Sequence, residues 1–417
     1  MDGDWRRVAA DLFEGLLRRT HLSRPSDVGR VIVEEARTAL QARASTLYWV
    51  NREETALVPL AHDGPVEPSA QHVDATLAGR CFTGAKILVV PPEDGVARVL
   101  LPVVDGTDRL GVLELCLPAE VWRDADGPSY DLLRVLERFA HATAMSLASK
   151  RVYGDTLELA QRSRPMDLGA ELLWSTLPPM TFATEGLVIA AMLEPAYENG
   201  GDAFDYAVND DAVHLAIFDG LGHGLTAARL STFVLAAYRH ARRRGLDLAE
   251  TYAVIDAAID ENFGDDHFVT GVVGRLDHET GVLEWVDAGH PPPLLVRDGR
   301  MVKLLQTVPS TPFGVPGGPE PVVGREQLEP GDVLLMYTDG VTEARRPDGT
   351  FLDVEGLVEY VEHESAAQRP APETLRRFKR TLISDEGTVL GDDATVLLVE
   401  WRRDTEHRLV PQTVMED

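Results

Sequence analysis

Cysteine is nearly absent from this chain of 417 residues: only Cys81 and Cys116 occur, far from any Cys-x-x-Cys or Cys/His spacing. That excludes a disulfide framework and a thiolate zinc site, and it fits a reducing compartment. Basic charge is in deficit, with 40 Lys and Arg against 68 Asp and Glu for a net charge of −28. A field of that sign repels phosphate backbones and anionic lipid surfaces, so neither nucleic acid nor a membrane is an expected partner. Long apolar runs are missing too: no stretch approaches the ~18 residues of a membrane span. Met1-Asp2-Gly3-Asp4-Trp5 has no basic region leading into an apolar one. The expectation is a soluble, unexported, cytoplasmic protein.

What is present suffices for packed cores, since hydrophobic residues make up 44% and charged ones 26%. At ~100–200 residues per domain the length predicts two domains. Apolar residues recur at helical spacing over 5–17 and 26–40, and a strand follows over Ala44–Val50. Asp105-Gly106-Thr107-Asp108 is a turn signal between strands at 98–104 and 111–117, which predicts a hairpin. Leu133, Leu136, Ala140, Ala144 and Leu147 then form one helical stripe, to be buried on the preceding domain or on a second copy. The helical region ends at Leu177-Pro178-Pro179, because proline removes a backbone donor. Beyond it come short β-rich runs at 187–193, 213–218, 269–276, 283–286, 293–296, 333–337 and 394–400. Amphipathic segments at 226–244 and 248–262 interrupt them, and shorter ones follow near 354–361 and 372–383. Strands and helices grouped this way predict layered sheets with helices outside rather than strict βαβ alternation.

Four acidic clusters stand where strands stop and the chain turns through glycine. They are Gly200-Gly201-Asp202-Ala203-Phe204-Asp205, Asp219-Gly220-Leu221-Gly222-His223-Gly224, Tyr337-Thr338-Asp339-Gly340 with Glu343 beyond, and Gly391-Asp392-Asp393-Ala394-Thr395. Each alone reads as an ordinary Asp-Gly turn. Together they bring carboxylates from distant parts of the chain to one edge of a sheet layer. Like charges there raise one another's pKa unless a cation neutralises them. With oxygen donors and no paired Cys or His, magnesium or manganese fits better than zinc.

In this order the clusters resemble the PPM-type serine/threonine phosphatases, in the bacterial branch typified by SpoIIE and RsbU. The resemblance runs over 184–401 and takes in Glu194-Pro195-Ala196, Phe268-Val269-Thr270, Asp287-Ala288-Gly289-His290-Pro291-Pro292-Pro293, Pro312-Phe313-Gly314 and Leu328-Glu329-Pro330-Gly331-Asp332. Asn199 and Phe313 depart from the family pattern without touching a ligand position. The resemblance implies an α+β fold whose second domain is an αββα layered β-sandwich holding two Mn²⁺ or Mg²⁺ ions at one end. By motif, Asp219 bridges both ions and Gly220 offers its carbonyl. Asp202 completes one ion's protein ligands, and Asp339 with Asp392 those of the other, with Asp393 as the alternative donor to Asp392. Asp202, Asp219, Asp339 and Asp392 are thereby the implied catalytic residues. The implied chemistry is attack of an activated water on phosphorus in line with the seryl oxygen. No Cys-x5-Arg loop competes with that reading. His223 and His290 read as structural rather than as proton donors. Asp205 and Glu343 either orient water or are simply solvated, and no arginine stands out as a phosphate clamp.

Residues 1–150 resemble a GAF sensor domain, on Leu77-Ala78-Gly79-Arg80-Cys81-Phe82-Thr83-Gly84, Leu100-Leu101-Pro102-Val103-Val104 and Leu110-Gly111-Val112-Leu113-Glu114-Leu115. Its ligand is left open, and a packing or dimerising domain without a small ligand is the alternative. The implied organisation is a GAF-like antiparallel sheet with helices at 1–150, a helical linker at 151–183, the phosphatase domain at 184–402 and a short tail at 403–417. By resemblance the substrate is a phosphoserine or phosphothreonine on a STAS-type anti-sigma-factor antagonist, whose dephosphorylation frees a sigma factor in a stress response. A homodimer through the GAF domain and linker helix is a further expectation. The competing reading is a signalling scaffold that binds the antagonist without turnover, against which the intact Asp202, Asp219, Asp339 and Asp392 argue. Hydrolysis of a small phosphoester is a third.

Overall fold

The computed structural model describes residues 5–93, 95–118, 130–198, 200–264, 266–384 and 390–410. The chain divides into two compact units, Met1–Ser163 with His407–Asp417, and Arg164–Glu406. The segment expected as a linker is thus shared between them.

In the first unit, α1 (Trp5–His21) and α2 (Val28–Ala39) lead into β1 (Ala44–Val50), β2 (Ala56–Asp63) and β3 (Gln71–His72). Then come α3 (Leu77–Gly84), β4 (Leu88–Glu93), β5 (Val96–Asp105), β6 (Asp108–Pro118), α4 (Tyr130–Arg151) and α5 (Thr156–Ala160). Among the described residues the strands form one antiparallel sheet in the order β3-β2-β1-β6-β5-β4. The expected hairpin is there, with Asp105 opposite Asp108 and Gly106 at φ 59°, a conformation that costs glycine little. Alternation divides the apolar residues between two faces. Leu47, Trp49, Leu101 and Leu113 pack under α1, α2 and α4. Tyr48, Val50, Leu100 and Val112 pack against Phe82 of α3. Leu136, Ala140, Ala144 and Leu147 of α4 are buried in the first of these cores; Leu133 is only half-buried, and Leu132 takes its place in the core.

The second unit opens with α6 (Leu168–Trp174), β7 (Thr181–Thr184), β8 (Leu187–Glu194), β9 (Asp202–Val208) and β10 (Val213–Gly220). The paired helices α7 (Gly224–Arg243) and α8 (Leu248–Phe263) follow, then β11 (Val269–Leu276), β12 (Val282–Ala288), β13 (Leu294–Arg297), β14 (Arg300–Leu304), β15 (Gly324–Gln327) and β16 (Val333–Tyr337). Last come α9 (Asp339–Thr342), α10 (Asp353–Ala366), α11 (Ala371–Ser384) and β17 (Ala394–Trp401). Two antiparallel sheets result, β15-β12-β11-β10-β9 and β14-β13-β16-β17-β8-β7. They bury Phe204, Leu215, Ile217 and Val272 of the first against Ile189, Met336, Leu397 and Val399 of the second. Leu230, Val234 and Tyr238 of α7 and Ile255 and Ile259 of α8 cover the outer face of the first sheet through Ala216, Phe218 and Val273. α11 packs on β8 and β17 of the second. This is the αββα layering expected. The start of α8 is fixed by a capping box, Asp247 accepting the Glu250 amide at 2.8 Å and Glu250 accepting the Asp247 amide at 3.0 Å. Among the described residues no helix is long and apolar enough to cross a membrane.

Candidate metal centre

Strand alternation decides which residues line the end of this sandwich. Phe204 on β9, Ile217 on β10 and Val272 on β11 point into the core between the sheets. Two residues further toward one common end, on the same face, stand Asp202, Asp219 and Thr270. Asp219 is the register partner of both Asp202 and Thr270, which sets neighbouring Cβ atoms about 4.5–5.5 Å apart. On the facing sheet Met336 and Leu397 are register partners, and the next inward residues are Thr338 and Thr395. β10 stops at Gly220, α9 begins at Asp339, and β17 begins directly after Asp392 and Asp393. The four acidic clusters therefore meet at one end of the two-sheet stack.

Asp202 is 1% exposed, and its carboxylate accepts the Thr338 hydroxyl at 2.7 Å. Thr338 in turn accepts the Thr395 amide at 2.9 Å, so the Asp202 rotamer is tied to the opposite sheet. Asp393 is turned to backbone: its Oδ2 accepts the amides of Gly200 at 3.0 Å and Gly201 at 2.7 Å. Asp392 is exposed and its Oδ1 accepts the Asp393 amide at 2.8 Å. Within the Asp392-Asp393 pair, one carboxylate thus faces the rim and the other fastens the turn that carries Asp202. The backbone is drawn tight here. A Cβ on Gly340 would lie 2.0 Å from the Asp393 carbonyl oxygen, and one on Gly200 would lie 2.4 Å from the Gly224 nitrogen.

Charge crowding follows. Burial, then the negative charges of Asp339, Asp392 and Asp393, push Asp219 up to about 7. Burial, Asp219 and Asp393 hold Asp202 well above the usual carboxylate range, with the Thr338 hydroxyl partly offsetting them. Asp339 is raised by burial and by Glu343 and Asp392. Asp393 is raised by burial, against the pull of the Gly200 and Gly201 amides.

The donor set is all hard oxygen, carboxylates with the Gly220 carbonyl beside them, and it suits Mg²⁺ or Mn²⁺. Among the described residues no three Asp, Glu, His or Cys side chains stand close enough to enclose an ion as placed. Asp339 and Asp392 are exposed on the rim.

Other residues singled out in the sequence are placed differently. Asp205 faces the helices and accepts from Arg239 at 2.7 and 3.1 Å and from Arg242 at 2.9 Å, so it orients no water at the carboxylate edge. His290 is buried, whereas His223 is exposed at the start of α7 and makes no capping bond. Glu343 is exposed just after α9, near enough to act on Asp339. Asn199 lies outside the described residues. Thr338, Thr395 and Thr270 were not recognised as part of the site from sequence; the available signal was their position, two residues beyond an inward apolar residue at a strand end.

Residues 209–402 match the family model described as Stage II sporulation protein E (SpoIIE). The chain is 23% identical over 217 residues to the phosphoserine phosphatase RsbU of Bacillus subtilis (strain 168), covering 52% of this chain and 63% of that one. It is 26% identical over 151 residues to the phosphoserine phosphatase RsbP of the same organism, covering 35% of this chain and 37% of RsbP. A solved structure of the RsbU and RsbW domains of a Mycobacterium tuberculosis protein aligns with a TM-score of 0.46 at 29% identity, over 52% of this chain and 62% of that one. The chain spans less than two thirds of the length of these relatives.

Proposed function

We propose that this chain is a metal-dependent protein serine/threonine phosphatase of the PPM class, on the match of residues 209–402 to the SpoIIE family model and the likeness to the phosphoserine phosphatase RsbU. Its metal ligands are Asp202, Asp219, the Gly220 carbonyl, Asp339 and Asp392, and Asp393 holds the turn that carries Asp202. Two Mn²⁺ or Mg²⁺ ions bound there would offset the carboxylate charge and activate water for attack on phosphorus. The chain's own residues keep the acids in place: Thr338 orients Asp202, and Asp393 pins Gly200 and Gly201. The observation that carries this reading is geometric: Asp219, at the end of β10, is the register partner of Asp202, and the strand ends leading to Asp339 and from Asp392 lie at the same end of the sandwich. Carboxylates from three separate strand ends are crowded together, and a cation is what compensates such crowding.

By likeness to the phosphoserine phosphatases RsbU and RsbP, the substrate is a phosphoserine or phosphothreonine on a STAS-type anti-sigma-factor antagonist. Residues 1–150 act as a GAF-like sensor, relayed through 151–183 to the catalytic domain at 184–402, in the cytoplasm. Phosphate release from a phosphoserine antagonist, a phosphotyrosine peptide and a nucleotide, each with Mn²⁺ and with EDTA, tests the proposal. Release confined to the phosphoserine protein and to Mn²⁺ supports it; preference for the nucleotide, or release indifferent to EDTA, overturns it.

A further inference from the structure

We propose that Thr270 and His290 form a positioning pair that fixes the wall of the metal centre beside Asp219, an inference that rests on reading that centre as a cation site. Among the described residues the Asp219 carboxylate accepts no hydrogen bond, in contrast to Asp202, which Thr338 holds. Across the strands Asp219 stands beside Asp202 on β9 and Thr270 on β11.

Thr270 is itself held by an unusual loop. β12 ends at Ala288, Asp287 accepts the His290 amide at 2.8 Å, and Gly289 turns at φ 69°. The His290 side chain is thereby directed back into the interior, where it is 5% exposed and its Nδ1 lies 2.8 Å from the Thr270 Oγ1. Its Nε2 completes no hydrogen bond, and the backbone carbonyl that acts on the ring is that of Tyr337, the last residue of β16 before Thr338 and Asp339. One imidazole thus reaches from β11, beside Asp219, to the strand end of the facing sheet that leads into Asp339.

Burial pushes His290 down to about 3, so the ring is neutral and is no proton donor to a leaving group at neutral pH. In the neutral ring with its proton on Nε2, Nδ1 accepts from the Thr270 hydroxyl. A β-branched side chain has few rotamers, and this bond selects one.

Calorimetric titration of the full chain with Mn²⁺, without substrate, tests the pair in wild type, Thr270→Val, His290→Ala and His290→Asn. Thr270→Val keeps the shape and removes the hydroxyl bond, and His290→Asn keeps a polar atom near the Nδ1 position. Thr270→Val and His290→Ala are each expected to weaken Mn²⁺ binding about 10–100-fold, with His290→Asn recovering most of the loss. Metal-free melting of each variant separates folding from binding. A folded Thr270→Val with wild-type Mn²⁺ affinity overturns the proposal, as does an Asn variant no better than Ala. Wild type that takes up no Mn²⁺ overturns the cation reading and the pair with it. Mn²⁺ binding with the expected loss in Thr270→Val, but without phosphate release, supports the pair and counts against the proposed reaction alone.

Discussion

Burial and neighbouring carboxylates push Asp219 up to about 7, whereas an ordinary aspartate ionises near ~3.9. Between those values the unfolded chain has released a proton that the folded chain keeps, so stability present at acid pH is lost as the pH rises to about 7. Asp202, Asp339 and Asp393 are raised as well, so metal-free melts of Asp219→Asn are expected to lose part of that pH dependence and added Mn²⁺ to flatten the wild-type curve further; an unchanged slope in the variant would count against the crowding. Asp205 gives a contrasting case. It is 1% exposed and paired with Arg239 and Arg242. Asp205→Ala strands those guanidiniums and is expected to cost roughly 3–5 kcal/mol of stability in denaturant melts, with Mn²⁺ affinity retained by the folded fraction. At this scale the aspartates were legible because each sits at the end of an apolar run or beside glycine. The threonines that orient them were not, since a Thr ending a strand has no signature until the facing strand is known.

The turn Gly200-Gly201 and the start of β17 are one mechanical element, joined by the Asp393 carboxylate. Asp393→Ala leaves buried amides without an acceptor and is expected to lower stability by about 1–3 kcal/mol. Asp393→Asn keeps an acceptor oxygen and is expected to retain Mn²⁺ binding, while Asp392→Asn is expected to lose at least about tenfold of it. Titration of the two Asn variants side by side decides which member of the pair is the ligand. Helices 226–244 and 248–262 were readable within about two residues of α7 and α8, because long amphipathic stripes and the Asp247 cap leave little ambiguity. β9 was not read as a strand, its Gly-Gly-Asp entry and Asp205 masking the alternation. β14 is mostly exposed and β2 is half-buried around Pro59, so neither carries a clean period of two. α6 illustrates a different limit. Leu173 is buried in the core under α7 and the Trp174 indole donates to the Ala196 carbonyl at 2.8 Å, contacts that fix its allegiance to the second unit and that no local pattern announces.

Each unit has its own apolar core, and the second is built from sheets whose pairings all lie within Arg164–Glu406. Residues 164–406 produced alone are expected to unfold in one cooperative transition in urea and to bind Mn²⁺ as the full chain does; a molten or multi-step profile would show that the division is not a folding boundary. The acidic balance, the paucity of cysteine and the layered architecture were all legible at this scale. The strand order was not, because β17 pairs not only with β16 but with β8, some two hundred residues earlier in the chain. The account stands or falls on one comparison, Mn²⁺-dependent phosphate release from a phosphoserine protein by the wild-type chain and by Asp219→Ala. It predicts release that EDTA abolishes and that the variant lacks; release by Asp219→Ala at the wild-type rate, or release undiminished in EDTA, would contradict it.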